Sequence, residues 1–192
     1  STSDVSGDST SQLSIGAWVY SSYSRQWLGN IGQIRVVKGT QVYTGAFTPP
    51  TTPLTAISGT TLLTNFTNAG IPDYAMMNDL ETVGNAQVST SVKKFGTGSI
   101  AFDGTGDYLK SNADTSLYTF GTGDFTVEFW MYSSATPTDY KALVYGGNFR
   151  IYQEPTTNNI ALWNGSSNLF RTATGIPNNA WVYIKEAVGA GY

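Results

Sequence analysis

The chain has 192 residues, a formal net charge of −3 and only 10 Lys plus Arg, a length that suits one large β-domain around one core. No basic stripe is present that would neutralise a run of phosphates, so no nucleic-acid partner is expected. Zero Cys and zero His remove thiol catalysis, disulfide staples, the imidazole general base and the commonest zinc ligands, and with them most hydrolase mechanisms.

Short apolar runs with period-two alternation, bounded by Gly, Asn, Asp or Pro, follow one another along the chain, which is the pattern of strands. In chain order they fall at residues 12–19, 30–37, 60–66, 98–102, 124–132, 141–145, 148–152, 159–163, 168–172 and 180–184. The clearest is Asp124-Phe-Thr-Val-Glu-Phe-Trp-Met-Tyr132, where Phe125, Val127, Phe129 and Met131 share one face and Thr126, Glu128, Trp130 and Tyr132 the other; the first face is expected to be buried. About ten strands exceed what one flat sheet holds, so two packed antiparallel sheets are expected. Phe47-Thr-Pro-Pro-Thr-Thr-Pro-Leu54 reads as an extended strap, because proline cannot donate to a ladder. A short helical turn is expected at Asp73 to Leu80, with Met76, Met77 and Leu80 facing inward. The polar start, Ser1 to Thr10, and the absence of an 18-residue apolar run show no signal or spanning segment and lead to the expectation of no membrane partner. Charged residues are 12% of the chain, about half the usual fraction, and Gly, Ser, Thr and Asn are abundant, a mix of secreted or virion β-proteins. A virion or extracellular location is therefore expected.

The run from Lys94 through Phe102-Asp-Gly-Thr-Gly-Asp-Tyr-Leu109, followed by Gly123 to Met131, resembles the opening strands of laminin-G-like, concanavalin A-type lectin domains. Trp27-Leu-Gly-Asn-Ile-Gly-Gln-Ile-Arg-Val-Val-Lys38, followed by Val42 to Pro50, is similar to the closing strand and tail of such domains in tailed-phage virion proteins, marine phages in particular. The resemblance implies a jelly-roll β-sandwich of two antiparallel sheets, concanavalin A-like. Its order is rotated: residues 1–53 look like the closing strands, 54–59 like a linker or strap, and 60–192 like the opening and central strands. Together they are expected to make one sandwich domain, either circularly permuted or completed by a neighbouring chain, since half a sandwich would expose an apolar face. Ser1 and the ending at Gly189 to Tyr192 read as cuts in a longer polypeptide.

Three constellations carry chemistry. Asp103-Gly104-Thr105-Gly106-Asp107 sets two carboxylates about a Gly-rich turn, suited to calcium with backbone carbonyls filling the shell or to a hairpin turn in which Asp caps N–H groups. Relatives of the resembled type carry calcium at a sandwich rim, but their acidic pair before the closing strand is here Gly32 and Gln33; the cofactor expectation is therefore none, or calcium held by Asp103 and Asp107. Glycosidases flank the scissile bond with two carboxylates, and the Glu-x-Asp-x-Glu pattern of the superfamily's glucanases is missing. Among Glu81, Glu128, Glu154 and Glu186 only Glu81 has a near partner, Asp79, so no catalytic residue is expected and the protein is read as not an enzyme. Five Trp and twelve Tyr supply stacking platforms for sugars. The candidates for carbohydrate binding are Tyr23, Trp27, Tyr140, Tyr152, Trp163, Asn148 and Asn164, with Tyr20, Asn158 and Asn159 beside them; cross-strand packing is the competing use for such aromatics.

Two functions are thus expected. The first is a non-catalytic structural or adhesion component of a virion or extracellular assembly, a fibre, knob or decoration subunit whose partners are copies of itself or other assembly proteins. The alternative is a lectin module recognising host or environmental glycans. Aromatics clustered in the open favour the second, and aromatics buried in subunit contacts favour the first.

Overall fold

The computed structural model describes residues 13–20, 23–66, 71, 73, 75, 80–111, 115–146 and 149–188, with the backbone alone for residues 19, 20, 23, 24, 115 and 116. The described chain is all-β with antiparallel pairing. Its strands are Ser14–Ile15 (β1), Ala17–Tyr20 (β2), Tyr23–Gln26 (β3), Leu28–Lys38 (β4), Thr60–Thr64 (β5), Leu80–Val83 (β6), Gln87–Ser89 (β7), Ser99–Asp103 (β8), Tyr108–Ser111 (β9), Phe125–Ser133 (β10), Lys141–Gly146 (β11), Phe149–Gln153 (β12), Ile160–Trp163 (β13), Asn168–Arg171 (β14) and Trp181–Val188 (β15). The strands that alternation predicts from residue 30 onward are present, whereas the single run expected at 12–19 is divided at Gly16 into β1 and β2, which belong to different sheets. The helical turn expected at 73–80 falls mostly outside the described residues; Asp73 forms a bridge with Thr64 and Leu80 opens β6. The one helical element described is a 3-10 turn, Thr115–Tyr118.

One sheet has the order β14-β13-β12-β11-β1-β9-β6 and the other β15-β10-β4-β8-β7, with β5 also on β4. Residues before the strap thus supply inner strands of both: β1 lies between β9 and β11, and β4 between β10 and β8. The sheets pack face to face, their inward side chains forming one cluster that includes Ile15, Leu109, Val144, Ile151 and Leu162 from one and Ile34, Val36, Phe125, Val127 and Phe129 from the other. Phe120 stacks on Phe125 with centroids 4.4 Å apart, and Phe149 meets both edge-on. In β4 the register shifts between the Phe129–Ile34 and Met131–Ile31 pairs. This bulge at Gly32 and Gln33 keeps Ile31 and Ile34 on the core face although they are three residues apart.

The predicted inward face of β10 is buried, and so is most of its outward face: Thr126 and Glu128 have no exposed surface, Trp130 has 7% and Tyr132 is half-buried. Residues 39–59 lie across that side as the strap. Val42 N–H donates to Thr126 Oγ1 (3.0 Å), Leu54 N–H to Gln33 Oε1 (2.9 Å), and Arg35 Nη1 to Thr55 O (2.7 Å). Beneath it, Glu128 Oε1 accepts from Arg35 Nε at 2.6 Å and pairs with Arg35 Nη2. Its Oε2 accepts from the hydroxyls of Tyr43 (2.9 Å) and Tyr183. Burial raises both tyrosines above the ordinary phenol pKa and keeps them protonated donors.

The described residues leave β14 and β15 as free sheet edges, and between them runs a cleft of about 420 Å³ lined by Leu162, Phe170, Glu186 and Val188 among others. Glu186 pairs in register with Val127 and so points inward. Desolvation pushes its carboxyl up to about 8, against a smaller opposing pull from Lys185.

Two tests follow from this packing. Glu128→Gln leaves Arg35 buried without its counter-charge and is expected to cost about 3–5 kcal/mol in denaturant unfolding, with hydrogen exchange accelerated first in residues 40–57. The folded state favours protonated Glu186, so its stabilising contribution is present below the ordinary glutamate range and is lost as pH rises from there through about 8. The protein is therefore expected to unfold at lower denaturant at pH 8.5 than at pH 5, by a few kcal/mol, and Glu186→Gln should flatten that slope.

Candidate functional site

Where the strap seals the outer face of one sheet, a hairpin covers part of the other. β1 ends at Gly16, whose φ of +87° and closeness to Phe102, whose ring would lie 2.5 Å from an added Cβ, admit no larger residue without strain. There the chain leaves the seven-stranded sheet. β2 and β3 pair with each other alone, Trp18 opposite Arg25. Trp27 N–H returns to Gly16 O at 2.7 Å and closes the base of the hairpin. On β12 the period of two buries Phe149, Ile151 and Gln153 and turns Arg150 and Tyr152 to the other face. Arg150 lies in register with Trp163 of β13, and Tyr140 stands just before β11.

These elements enclose a pocket of about 280 Å³ lined by Trp18, Arg25, Tyr140, Arg150, Tyr152 and Trp163, with Ala142 at its floor. The guanidinium of Arg150 lies 4.0 Å from the Trp18 ring centroid and 5.5 Å from that of Trp163. Arg25 lies 5.5 Å from Trp18 and 5.0 Å from Tyr140, and Tyr140 meets Tyr152 edge-on at 5.5 Å. Both arginines therefore sit against ring faces, as cation–π attraction favours. Their charges are balanced differently. Arg25 pairs with Asp139 at 2.7 Å, whereas Arg150 has no carboxylate within ion-pair distance among the described residues. Desolvation, with repulsion from Arg25 as a lesser cause, lowers the Arg150 pKa from the ordinary guanidinium value. The Nε–H of Arg150 and the Nε1–H of Trp163 are buried with no hydrogen-bond partner among the described residues. Tyr152 donates its hydroxyl to Asn168 Oδ1 at 2.8 Å, and burial raises its pKa.

Three of the residues predicted from sequence, Tyr140, Tyr152 and Trp163, thus come together in one pocket. Trp27 does not: it is fully buried, its Nε1–H donating to Gln153 Oε1 at 2.9 Å and its ring set edge-on to Phe102. It is a core residue, because the strand-end position that would expose it is covered by both sheets. Asn164 organises its own turn by accepting from the N–H groups of Ser166 and Ser167. Asn158 and Asn159 are buried, holding Gln153, Ile176 O and Thr172 O. Tyr20 and Tyr23 lie on β2 and β3, their side chains undescribed, and Asn148 lies outside the described residues. Sequence reading missed Trp18, Arg25 and Arg150. The signal for Arg150 was its spacing of two from Tyr152 on a strand, which places both on one face; for Trp18 and Arg25 no local signal exists, since only the hairpin register brings them there.

The second candidate is built as a turn. Asp107, buried, accepts from Asn85 N–H at 2.7 Å and Asp103 N–H at 2.9 Å. Asp103 accepts from Thr105 N–H at 2.7 Å and Asn85 Nδ2 at 3.1 Å, and these hydrogen bonds hold its carboxyl below the ordinary range. Among the described residues no cluster of three or more metal-ligating side chains occurs.

Chemically, the pocket offers ring faces, N–H donors and tyrosine hydroxyls, and among the described residues no carboxylate lines it. Such a surface stacks on an apolar ring face and donates to oxygens around its edge. Comparison with protein-family models, curated proteins and solved structures found no match to the chain.

Proposed function

We propose that the protein is a non-catalytic carbohydrate-binding module of a virion or extracellular assembly, built on a concanavalin A-like, jelly-roll form of its sandwich. Its ligand occupies the pocket between the β2–β3 hairpin and strands β11 to β13. The observation that carries this reading is the convergence of Trp18, Tyr140, Tyr152 and Trp163 around one opening, when a purely structural sheet face has no need to leave a recess among its aromatics. A volume of about 280 Å³ is at the small end for ligand sites and suits a sugar residue at a chain end or branch. The lining of donors and rings, without paired carboxylates, supports binding over hydrolysis.

The reading is tested on a glycan microarray and by titration of intrinsic fluorescence with the glycans captured. Trp163→Ala is expected to weaken binding at least ten-fold with unfolding unchanged, because the ring lies at the pocket surface and leaves the core intact, while Phe47→Ala on the strap leaves binding unaltered. Capture of no glycan by the folded protein, or equal binding by the Trp163 variant, overturns the proposal.

A second reading, a structural subunit that joins copies of itself, is favoured by a different feature: the free edges β14 and β15 flank an open cleft, with Phe170 of β14 44% exposed, and unpaired edges invite strand addition. Light scattering decides it. A molar mass that rises with concentration, and that Phe170→Glu returns to the monomer value, is the expected result on this reading, and a monomer at all concentrations excludes it.

A further inference from the structure

Resting on the carbohydrate-binding reading, we infer that the pocket selects acidic sugars, those whose ring carries a carboxylate or a sulfate ester, and that Arg150 is the residue that binds the anionic group. Four observations on one site converge on this. The first is the charge count: two guanidiniums stand on the pocket and, among the described residues, the one carboxylate paired with either is Asp139, which holds Arg25; within that described set Arg150 keeps a full positive charge, in a chain whose net charge is −3. The second is placement. Arg150 is half-buried and held between the Trp18 and Trp163 rings, so water solvates it incompletely and no carboxylate among the described residues takes water's place. Partly buried charges are ordinarily paired, and a guanidinium fork matches a carboxylate or sulfate better than it matches a hydroxyl.

The third is the sign of the hydrogen-bonding groups. The unpartnered buried polar atoms that the pocket offers on Arg150 and Trp163 are both N–H donors, and a site of unmatched donors asks for a ligand rich in acceptors. A neutral sugar hydroxyl brings one donor with its lone pairs, whereas an anionic group brings acceptors alone and so answers these two buried N–H groups directly. The fourth is the preorganisation of the cation. The two ring faces fix the guanidinium plane before any ligand arrives, so its ordering is not charged against binding. Asp139 plays the matching part for Arg25, accepting from its Nη1 at 2.7 Å and from Tyr140 N–H at 2.7 Å; it thereby ties the hairpin to the turn that carries Tyr140 and keeps Arg25 as a wall of the pocket.

The two sources of negative charge are separated by a paired panel: uronate and sialylated oligosaccharides with their methyl esters, and sulfated oligosaccharides with their desulfated forms. Binding is read by titration calorimetry at low and at moderate salt. The acidic member of at least one pair is expected to bind ten-fold or more tightly than its neutral counterpart, with the preference narrowing as salt rises. Arg150→Gln should abolish the preference, so that the acidic and neutral members bind that variant with the same affinity, whereas Trp163→Ala weakens both members and keeps the preference. Preference confined to the first set identifies a carboxylate ligand, and to the second a sulfate. Neutral and acidic members binding equally, or an Arg150→Gln variant that keeps the preference, overturns the inference and leaves the carbohydrate reading standing; binding of neither member of any pair overturns both.

Discussion

Burying Glu128 constrains the rest of the molecule. A carboxylate with no exposed surface on the outer side of a sheet survives only if its lost hydration is replaced, and Arg35, Tyr43 and Tyr183 replace it. Arg35 comes from the adjacent strand and Tyr183 from the strand on the other side, so both are set by register. Tyr43 has no such origin; it belongs to the strap, which must therefore cross the sheet. Once it crosses, the backbone of the strap finds partners in Thr126, Gln33 and Arg35, and the chain is delivered back to β4 as β5. The proline-rich composition of residues 47–54 fits this role, since a segment that covers a sheet face needs no ladder of its own.

The consequence is a division of labour between the two outer faces. One is sealed under the strap, with Lys94 4.0 Å from the Trp130 ring centroid and Trp181 beside Tyr132 completing the cover. The other is reached by a departure from the sheet at Gly16, which lifts β2 and β3 away so that Trp18 and Arg25 stand over strands β11 to β13. A cover that touches everywhere makes a layer; a cover that touches at one side makes a pocket. The same kinds of residue, aromatic rings and long cations, serve both faces, and what separates structure from recognition is the space left between them.

A buried ion pair and a half-buried arginine illustrate the difference in purpose. The Arg35–Glu128 pair is complete, with every oxygen of the carboxylate engaged, and its energetic value lies in being left undisturbed. Arg150 is stacked but has no carboxylate partner among the described residues, a state that costs solvation which the ring contacts offset only in part. Glu186 is a third case, an inward carboxyl at the free edge that avoids the cost by binding its proton. The location of each, under a strap, in a pocket, beside an open edge, matches how it is satisfied.

How much of this was legible in the sequence depends on the range of the interaction that carries the information. Alternation of apolar residues is local, and it placed β4, β10, β12 and β15, the two-layer class and the inward face of β10 correctly. Strands too short to alternate, such as Gln87–Ser89 and Tyr108–Ser111, gave no such signal. Asp103 and Asp107 were legible as a pair; that both would accept hydrogen bonds from Asn85 required the approach of the turn between β6 and β7. Tyr140, Tyr152 and Trp163 were chosen as aromatics near loops, by the same rule that chose Trp27, and the rule cannot tell them apart. Exposure decided it, and exposure is set by which strands lie above a residue. The sequence by itself determined an all-β chain without Cys or His; only the tertiary structure decided that Arg25 and Arg150, distant along the chain, would meet over one tryptophan, because strand register and the exit at Gly16 are non-local and leave no periodic trace.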